Sequence, residues 1–85
     1  MAAADARFGV RVNAVGSSEG AADLAALAGA RPAFVMIPKA AAPSDVAAVR
    51  AATGASLWPI IESAQGLKLA WDIAAAPGVA GVLFG

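Results

Sequence analysis

Four short apolar runs, each ending in a polar residue or a glycine, recur along the chain at intervals of about two dozen residues. The runs are Val10-Arg11-Val12-Asn13, Val35-Met36-Ile37-Pro38-Lys39, Ile60-Ile61-Glu62-Ser63 and Val82-Leu83-Phe84-Gly85. Each interval has the length of one strand plus one helix, so the pattern predicts a chain that alternates between the two. If the strands are parallel, their carboxyl ends share one edge of a sheet. The polar residues expected at that edge are Arg11, Asn13, Lys39 and Glu62.

The segments between the runs have the composition of short helices bounded by turns. The sequence predicts strands over residues 8–12, 33–37, 57–61 and 79–84. Because an interior strand tolerates proline only at its start, Pro59 moves the start of the regular third strand to about Ile60. Turn and capping residues at 13–18 precede the first helix, Ser44 is predicted to cap the second, and Gly66 is predicted to open the third.

Repetition of strand and helix with short connections predicts right-handed crossovers and a parallel sheet. The predicted fold class is α/β, built from parallel βαβ units. A complete (β/α)8 barrel takes typically ~250 residues, so this chain would supply about three and a half of its eight units, as one partial TIM-barrel domain over residues 1–85. A doubly wound open sheet is the competing architecture, but no G-x-G-x-x-G turn follows the first strand, which favours the barrel.

The chain is more apolar than a small soluble domain needs to be. Hydrophobic residues make up 60% of it and charged residues 14%, more than is needed to cover the core of a domain of this size. The surplus predicts a surface that meets a partner, either the rest of a larger protein or another copy in a homo-oligomer that associates through exposed sheet edges. A noncatalytic structural or assembly segment is therefore one hypothesis.

The charged and metal-binding residue types exclude several classes of function. Six basic and six acidic residues give a net charge of zero, without a basic patch for nucleic acid. Cysteine and histidine are absent, which excludes disulfides and leaves carboxylates as the strong metal ligands. No apolar stretch reaches the ~20 residues that span a bilayer, and the first residues lack a signal-peptide pattern, so we expect a cytoplasmic protein without membrane contacts.

The other notable side chains have structural interpretations. Glu19 and Asp23 lie near the start of the first predicted helix, where the helix dipole favours negative charge. Trp58 and Trp71 are predicted to pack helix against sheet.

Four segments at the strand ends carry a family resemblance. They are Arg11-Val12-Asn13, Ile37-Pro38-Lys39, Ile61-Glu62-Ser63-Ala64-Gln65-Gly66 and Leu83-Phe84-Gly85. In this order they resemble the HpcH/HpaI aldolase and citrate lyase beta-subunit family over nearly the whole chain. The first two segments look more like the citrate lyase beta-subunit branch, whose members cleave or form a carbon–carbon bond in acyl-CoA thioesters such as citryl-CoA or malyl-CoA. The alternative branch contains metal-dependent pyruvate-type aldolases that cleave hydroxy-keto acids.

The resemblance implies a magnesium-dependent carbon–carbon lyase with a (β/α)8 barrel that is usually oligomeric, and this chain would supply about strands 2–5 of the eight. On that basis Glu62 corresponds to a ligand of Mg2+ or another divalent cation, and Arg11 to a binder of the substrate carboxylate, so both are expected to be catalytic. Asn13 and Lys39 join Arg11 as expected substrate-binding residues. A second carboxylate ligand is expected beyond Phe84-Gly85 and is not in this chain, so the 85 residues alone are expected to be inactive.

Each of these four residues also has a purely structural interpretation. Glu62 can face solvent or pair with an arginine at the end of its strand. Arg11 has the planar fork that suits a carboxylate, although arginines in strands also make structural pairs. Asn13 can cap the turn that follows it, and Lys39 can be a solvated loop residue after a proline.

Overall fold

The computed structural model of the chain describes residues 5–27 and 29–85. Its elements are β1 (Asp5–Arg11), α1 (Ser18–Leu27), β2 (Pro32–Ile37), α2 (Pro43–Ala52), β3 (Ser56–Ile61), α3 (Ala64–Lys68), α4 (Ala70–Ala74) and β4 (Leu83–Phe84). None of the helices within these ranges is long and apolar enough to cross a membrane.

The four strands form one sheet in the order β1-β2-β3-β4, and every pair is parallel. Arg11 of β1 aligns with Met36 of β2, and Met36 aligns with Trp58 of β3. Ile60 of β3 aligns with Leu83 of β4. The arrangement confirms the predicted α/β fold class with parallel βαβ units, and it places all four carboxyl ends at one edge of the sheet.

The core lies between the helices and one face of the sheet. Alternate strand residues point to the same face, and in β2 the fully buried pair is Val35 and Ile37. Val46 and Val49 of α2 and Ile73 of α4 pack against them. Every buried residue of this cluster is apolar, and no polar or charged side chain is buried among the described residues. The helical layer is therefore held to the sheet by hydrophobic burial.

Within residues 5–27 and 29–85, no helix lies on the opposite face of the sheet. Phe34, Met36, Trp58 and Leu83 line an apolar hollow there. Trp58 thus lies on the face away from the helices, and Trp71 of α4 is 88% exposed. The prediction that both tryptophans pack helix against sheet is wrong. Helical spacing could not show which side of α4 Trp71 is on, because a helix of five residues has too few positions to define an apolar face. Ile73 is the residue of α4 that faces the core.

Pro59 lies inside β3, which begins at Ser56 and not at about Ile60 as predicted. The N–H of Leu57 donates to the carbonyl of Gly78 at 3.0 Å, and the carbonyl of Ile61 accepts from Gly85 at 2.9 Å. Alternate residues of a parallel strand bond to the same side, so the nitrogen of Pro59 also faces that side. Residues 80–82 there are not in a strand. The missing donor therefore interrupts no hydrogen-bond ladder.

The second helix begins one residue before the predicted cap. Pro43 is its first residue, which suits a residue without an N–H, and the main chain of Ala42 is the cap. Asp45 Oδ2 accepts hydrogen bonds from the N–H groups of Ala41 at 2.9 Å and Ala42 at 3.2 Å. Ser44 is inside the first turn, so its prediction as the cap is wrong, and Asp45 supplies the stabilising contact.

The third predicted helix is two short helices. Ser63 caps α3 by accepting a hydrogen bond from the N–H of Gly66 at 3.0 Å. Leu69 separates α3 from α4 with φ −103° and ψ 15°, outside the helical region. A Cβ on the buried Gly66 would overlap the carbonyl oxygen of Ala40. The glycine is therefore needed for the close approach of α3 to the loop after β2, and not for opening the helix.

Candidate functional site

The predicted site residues lie together at the carboxyl edge of the sheet. Arg11 is the last residue of β1, and Asn13 follows it by two positions. Lys39 follows β2 by two positions, and Glu62 comes directly after β3. Parallel strands alone bring them there, as the spacing of the apolar runs predicts. Their chemical roles depend on what each side chain contacts.

Glu62 is held by the main chain of the neighbouring strand end. The N–H of Lys39 donates a hydrogen bond to Glu62 Oε2 at 2.7 Å. Lys39 has a φ of +52°, in the left-handed region that few residues other than glycine adopt. A hydrogen bond from an N–H to a carboxylate is stronger than one between neutral groups. The turn after β2 therefore fixes the Glu62 carboxylate at the edge, through a main-chain contact and not through the ammonium of Lys39.

Gly85 borders the other side of the same carboxylate. A Cβ at this position would lie 3.1 Å from Glu62 Cγ and 3.6 Å from Oε1. The N–H of Gly85 donates to the carbonyl of Ile61 at 2.9 Å, which sets the end of β4 beside Glu62. The glycine thus leaves Oε1 room at the end of β4 that a larger residue would take.

Asn13 is tied to the first helix. Asp23 Oδ2 accepts hydrogen bonds from the main-chain N–H of Asn13 at 2.7 Å and from its Nδ2 at 2.9 Å. The side-chain donor of Asn13 is therefore engaged in structure, and its Oδ1 is the atom that can face a ligand. Asp23 therefore holds Asn13 in place, a role that the sequence did not show. No sequence pattern pairs a carboxylate near a helix start with a residue ten positions earlier.

A cleft of about 500 Å3 opens beside the ends of β1 and β2. Its lining residues are Arg11, Val12, Asn13, Ala14, Ser17, Glu19, Pro38 and Lys39. Arg11 and Lys39 bring two positive charges to it and Glu19 brings one negative charge, and Glu19 Oε1 accepts from Ser18 Oγ at 3.0 Å. An excess of positive charge in a concave surface favours an anionic ligand. Three of the four predicted residues line this cleft, and Glu62 adjoins it through the main chain of Lys39.

A divalent cation could use Glu62 as one ligand. Magnesium is usually held by one or two carboxylates together with water and substrate oxygens. The described residues contain no cluster of three or more acidic, histidine or cysteine side chains, so the remaining protein ligands would have to come from elsewhere. Glu62 fits this partial role, because Lys39 orients its carboxylate at the strand end where ligands bind in α/β folds.

A family model described as HpcH/HpaI aldolase/citrate lyase matches residues 1–85. Curated relatives include (3S)-malyl-CoA thioesterases from strains of Cereibacter sphaeroides, 40% identical over 77 residues. That alignment covers 89% of this chain and 27% of the relative. The chain therefore spans about a quarter of the length of the curated relatives it matches.

Solved structures with the same arrangement include the citrate lyase beta subunit of Mycobacterium tuberculosis complexed with oxaloacetate and magnesium. It is 37% identical to this chain, with a TM-score of 0.79. The match covers 93% of this chain and 34% of that subunit. CitE of the same organism, in complex with magnesium, acetoacetate and coenzyme A, has a TM-score of 0.80 and 37% identity. This match covers 93% of the present chain and 28% of CitE. RipC from Yersinia pestis has a TM-score of 0.84 and 31% identity, over 91% of this chain and 39% of RipC.

Proposed function

Because the chain belongs to the HpcH/HpaI aldolase/citrate lyase family, we propose that it forms part of the active site of a magnesium-dependent carbon–carbon lyase of the citrate lyase beta-subunit type. The substrate class is an acyl-CoA thioester such as citryl-CoA or malyl-CoA. As in the neighbouring barrels, the four strands would be about strands 2–5 of a (β/α)8 barrel, and residues 1–85 would belong to one domain.

The observation that carries this proposal is the Glu62 carboxylate, fixed by the Lys39 N–H at 2.7 Å next to a positively charged cleft. Hydrogen bonds from neighbouring groups orient ligating carboxylates in metal sites, and the Lys39 N–H makes such a contact with Glu62. A cation at Glu62 would supply a Lewis acid for a substrate carbonyl. The solved relatives that contain both magnesium and a keto acid make this substrate chemistry the closest fit.

The other residues act on the substrate in this proposal. The guanidinium of Arg11 pairs with a substrate carboxylate through two parallel hydrogen bonds. Lys39 adds positive charge to the cleft, and Asn13 presents its Oδ1 because Asp23 holds its amide nitrogen. Together they orient the anionic end of the substrate beside Glu62. The 85 residues do not complete the site, since further metal ligands are required, and we expect them to be inactive alone.

A chimera tests the activity directly. The matching segment of the M. tuberculosis citrate lyase beta subunit, which is 37% identical, would be replaced by this chain and assayed with malyl-CoA and citryl-CoA. We expect carbon–carbon cleavage to give acetyl-CoA and a 2-oxo acid, glyoxylate from malyl-CoA and oxaloacetate from citryl-CoA. Glu62→Gln should lower turnover by about 100-fold or more, since even indirect contacts of metal ligands are worth about 10–100-fold. Glu19→Gln is the matched control, because it removes a carboxylate from the same edge without touching Glu62.

The outcome of the chimera assay also separates the alternatives. The curated relatives are thioesterases, and hydrolysis would release the free thiol of coenzyme A without acetyl-CoA. Cleavage of a hydroxy-keto acid in the absence of coenzyme A would instead indicate a pyruvate-type aldolase. An active chimera in which Glu62→Gln and Glu19→Gln have equal effects would contradict the role of Glu62.

Metal binding by the chain itself is a separate test. Isothermal titration of Mg2+ together with oxaloacetate should give a binding heat that Glu62→Gln removes and Glu19→Gln retains. Equal heats from both variants would mean diffuse binding to surface carboxylates.

We further propose a cytoplasmic location and a small-molecule substrate, with association through the sheet edges in place of nucleic acid or membrane partners.

A noncatalytic assembly role is the second candidate. The uncovered apolar face of the sheet favours it, and it predicts a chain that associates but binds neither Mg2+ nor oxaloacetate. Retained association of the chain, together with a folded chimera that cleaves neither malyl-CoA nor citryl-CoA, would select this role over the lyase.

A further inference from the structure

One carboxylate holds the end of the loop between β2 and α2, which comprises residues 38–42. Asp45 of α2 accepts hydrogen bonds from the N–H of Ala41 at 2.9 Å and from that of Ala42 at 3.2 Å, both through Oδ2. The N–H of Asp45 donates back to the carbonyl of Ala42 at 3.0 Å. Hydrogen bonds to a charged oxygen are stronger than those between neutral groups. Asp45 therefore fixes the main chain where the loop enters the helix.

The other end of the same loop contacts the proposed metal ligand. The N–H of Lys39 donates to Glu62 Oε2 at 2.7 Å, and the N–H of Ala40 donates to the carbonyl of Ile60 at 3.0 Å. All four consecutive N–H groups of residues 39–42 are therefore bonded, two at the end of β3 and two on α2. A single residue separates the donor to Glu62 from the first donor to α2. Because each residue has only two free dihedral angles, a displacement at one anchor is transmitted to the other.

Lys39 depends on both anchors for its conformation. Its φ of +52° lies in the left-handed region, and a residue other than glycine keeps such a conformation only where the surrounding contacts determine it. Ala40 beside it is fully buried, and its carbonyl oxygen lies so close to Gly66 that an added Cβ there would overlap it. Without the bonds to α2, Lys39 is free to relax to a negative φ, which changes the direction of the chain at its contact with Glu62.

We propose that Asp45 is a positioning residue for the metal ligand: it holds the loop after β2 in the conformation that presents the Lys39 N–H to Glu62. The consequence for metal binding rests on the proposed function, in which Glu62 is a ligand of Mg2+. Asp45 acts through the loop and does not bind the ion, since two main-chain donors already occupy its Oδ2. The competing interpretation is that Asp45 only stabilises the start of α2, which predicts a loss of stability without any change at Glu62.

Amide hydrogen exchange tests the link between Asp45 and Glu62 without metal. We would follow it by NMR in the chain itself and in the metal-free chimera. In the unaltered protein the amides of Lys39, Ala41 and Ala42 should have similar protection, because a segment that opens as one unit exchanges as one unit. Protected amides at Ala41 and Ala42 beside an unprotected Lys39 would overturn the proposal.

Two variants of α2 separate the loop contact from helix stability. Asp45→Ala should make the Lys39 amide exchange about 5-fold faster or more, because the loss of one hydrogen bond's contribution loosens its contact with Glu62. Ala47→Gly is the matched control, since glycine destabilises the helix at an exposed position that has no contact with the loop. It should leave the exchange of Lys39 unchanged. Equal acceleration by both variants would mean that the loop only follows the stability of α2, which contradicts the proposal.

The Mg2+ requirement of the chimera measures the consequence. Asp45→Ala should raise the Mg2+ concentration for half-maximal turnover by about 10-fold, the lower end of the effect of contacts that orient metal ligands, and excess Mg2+ should restore turnover. Ala47→Gly should leave this concentration unchanged. Asp45→Asn separates position from charge, because it keeps an oxygen that accepts both loop N–H groups, and it should need little more Mg2+ than the unaltered chimera. An equal requirement in Asp45→Asn and Asp45→Ala would show that only the charge matters and would overturn the proposal.

The two measurements keep this inference separate from the proposed lyase activity. An inactive chimera contradicts the lyase, whereas the exchange of the Lys39 amide still decides whether Asp45 positions Glu62. An active chimera whose Mg2+ requirement is the same with Asp45→Ala contradicts the positioning role and leaves the lyase in place. If Asp45→Ala does not fold, the protection pattern of the unaltered protein decides.

Discussion

Single hydrogen bonds orient the polar side chains at the strand ends. The sequence predicted that Arg11, Asn13, Lys39 and Glu62 would share one edge, because that follows from strand polarity alone. It could not predict that the N–H of Lys39 binds Glu62, since this depends on a positive φ in a residue that is not glycine. Contacts between loops depend on local backbone conformation, which residue type specifies weakly at such positions.

Asp23 illustrates a contact with a measurable contribution to stability. Asp23→Ala removes both hydrogen bonds to Asn13 and should lower the free energy of unfolding by about 1 kcal/mol, the usual net contribution of such contacts. Urea denaturation measures the change. Asp72→Ala is the control, because Asp72 is an exposed residue of α4 and should change stability by less than about 0.5 kcal/mol. An equal loss in both variants would mean that the contact with Asn13 contributes nothing specific.

At the scale of elements, the order of strands and helices was predictable and several boundaries were not. Apolar runs and capping residues set the βαβ alternation, and each strand appears where the sequence predicts one. The start of β3 was predicted too late because Pro59 was expected to interrupt the strand. Whether it does so depends on the side to which its nitrogen points, which the register of β3 and β4 determines. The break at Leu69 was missed because the apolar residues of this segment follow helical spacing through it. Gly66 was expected to open the helix, whereas the close approach of the Ala40 carbonyl is what requires a glycine there.

Gly66→Ala tests this explanation of the α3 start. Its added methyl group would overlap the Ala40 carbonyl oxygen, and overpacking of this kind costs about 1–3 kcal/mol. Gly54→Ala is the matched control, since its Cβ would meet no atom within 4 Å. Thermal denaturation should show a lower midpoint for Gly66→Ala alone. A midpoint unchanged or raised by Gly66→Ala would show that α3 can shift away from the loop at little cost.

For the whole molecule, one hydrophobic core on one side of a four-stranded sheet limits stability. A chain of this size buries only a little over ~60% of its unfolded surface, and its net stability is correspondingly small. Composition predicted the surplus of apolar surface, but only the structure locates it on the face that carries Phe34 and Trp58. Which side of the sheet each residue faces depends on strand register, and a shift of one residue would reverse it.

The melting midpoint should therefore depend on protein concentration. Association of folded chains stabilises them by mass action, so the midpoint should rise as concentration increases. Met36→Glu places a charge on the uncovered apolar face of the sheet and should melt at one temperature throughout the series. A constant midpoint for the unaltered chain would show that folding and association are independent.

The placement of the two tryptophans gives this chain an internal spectroscopic probe. Trp71 is 88% exposed on the helical side, so its emission should be red-shifted and should stay constant when only the other face of the sheet is contacted. Trp58 rests over Gly81 on the open face, and its emission would move to the blue once water leaves that face. With Trp71→Phe, the remaining indole would report association at this face in real time without any attached dye.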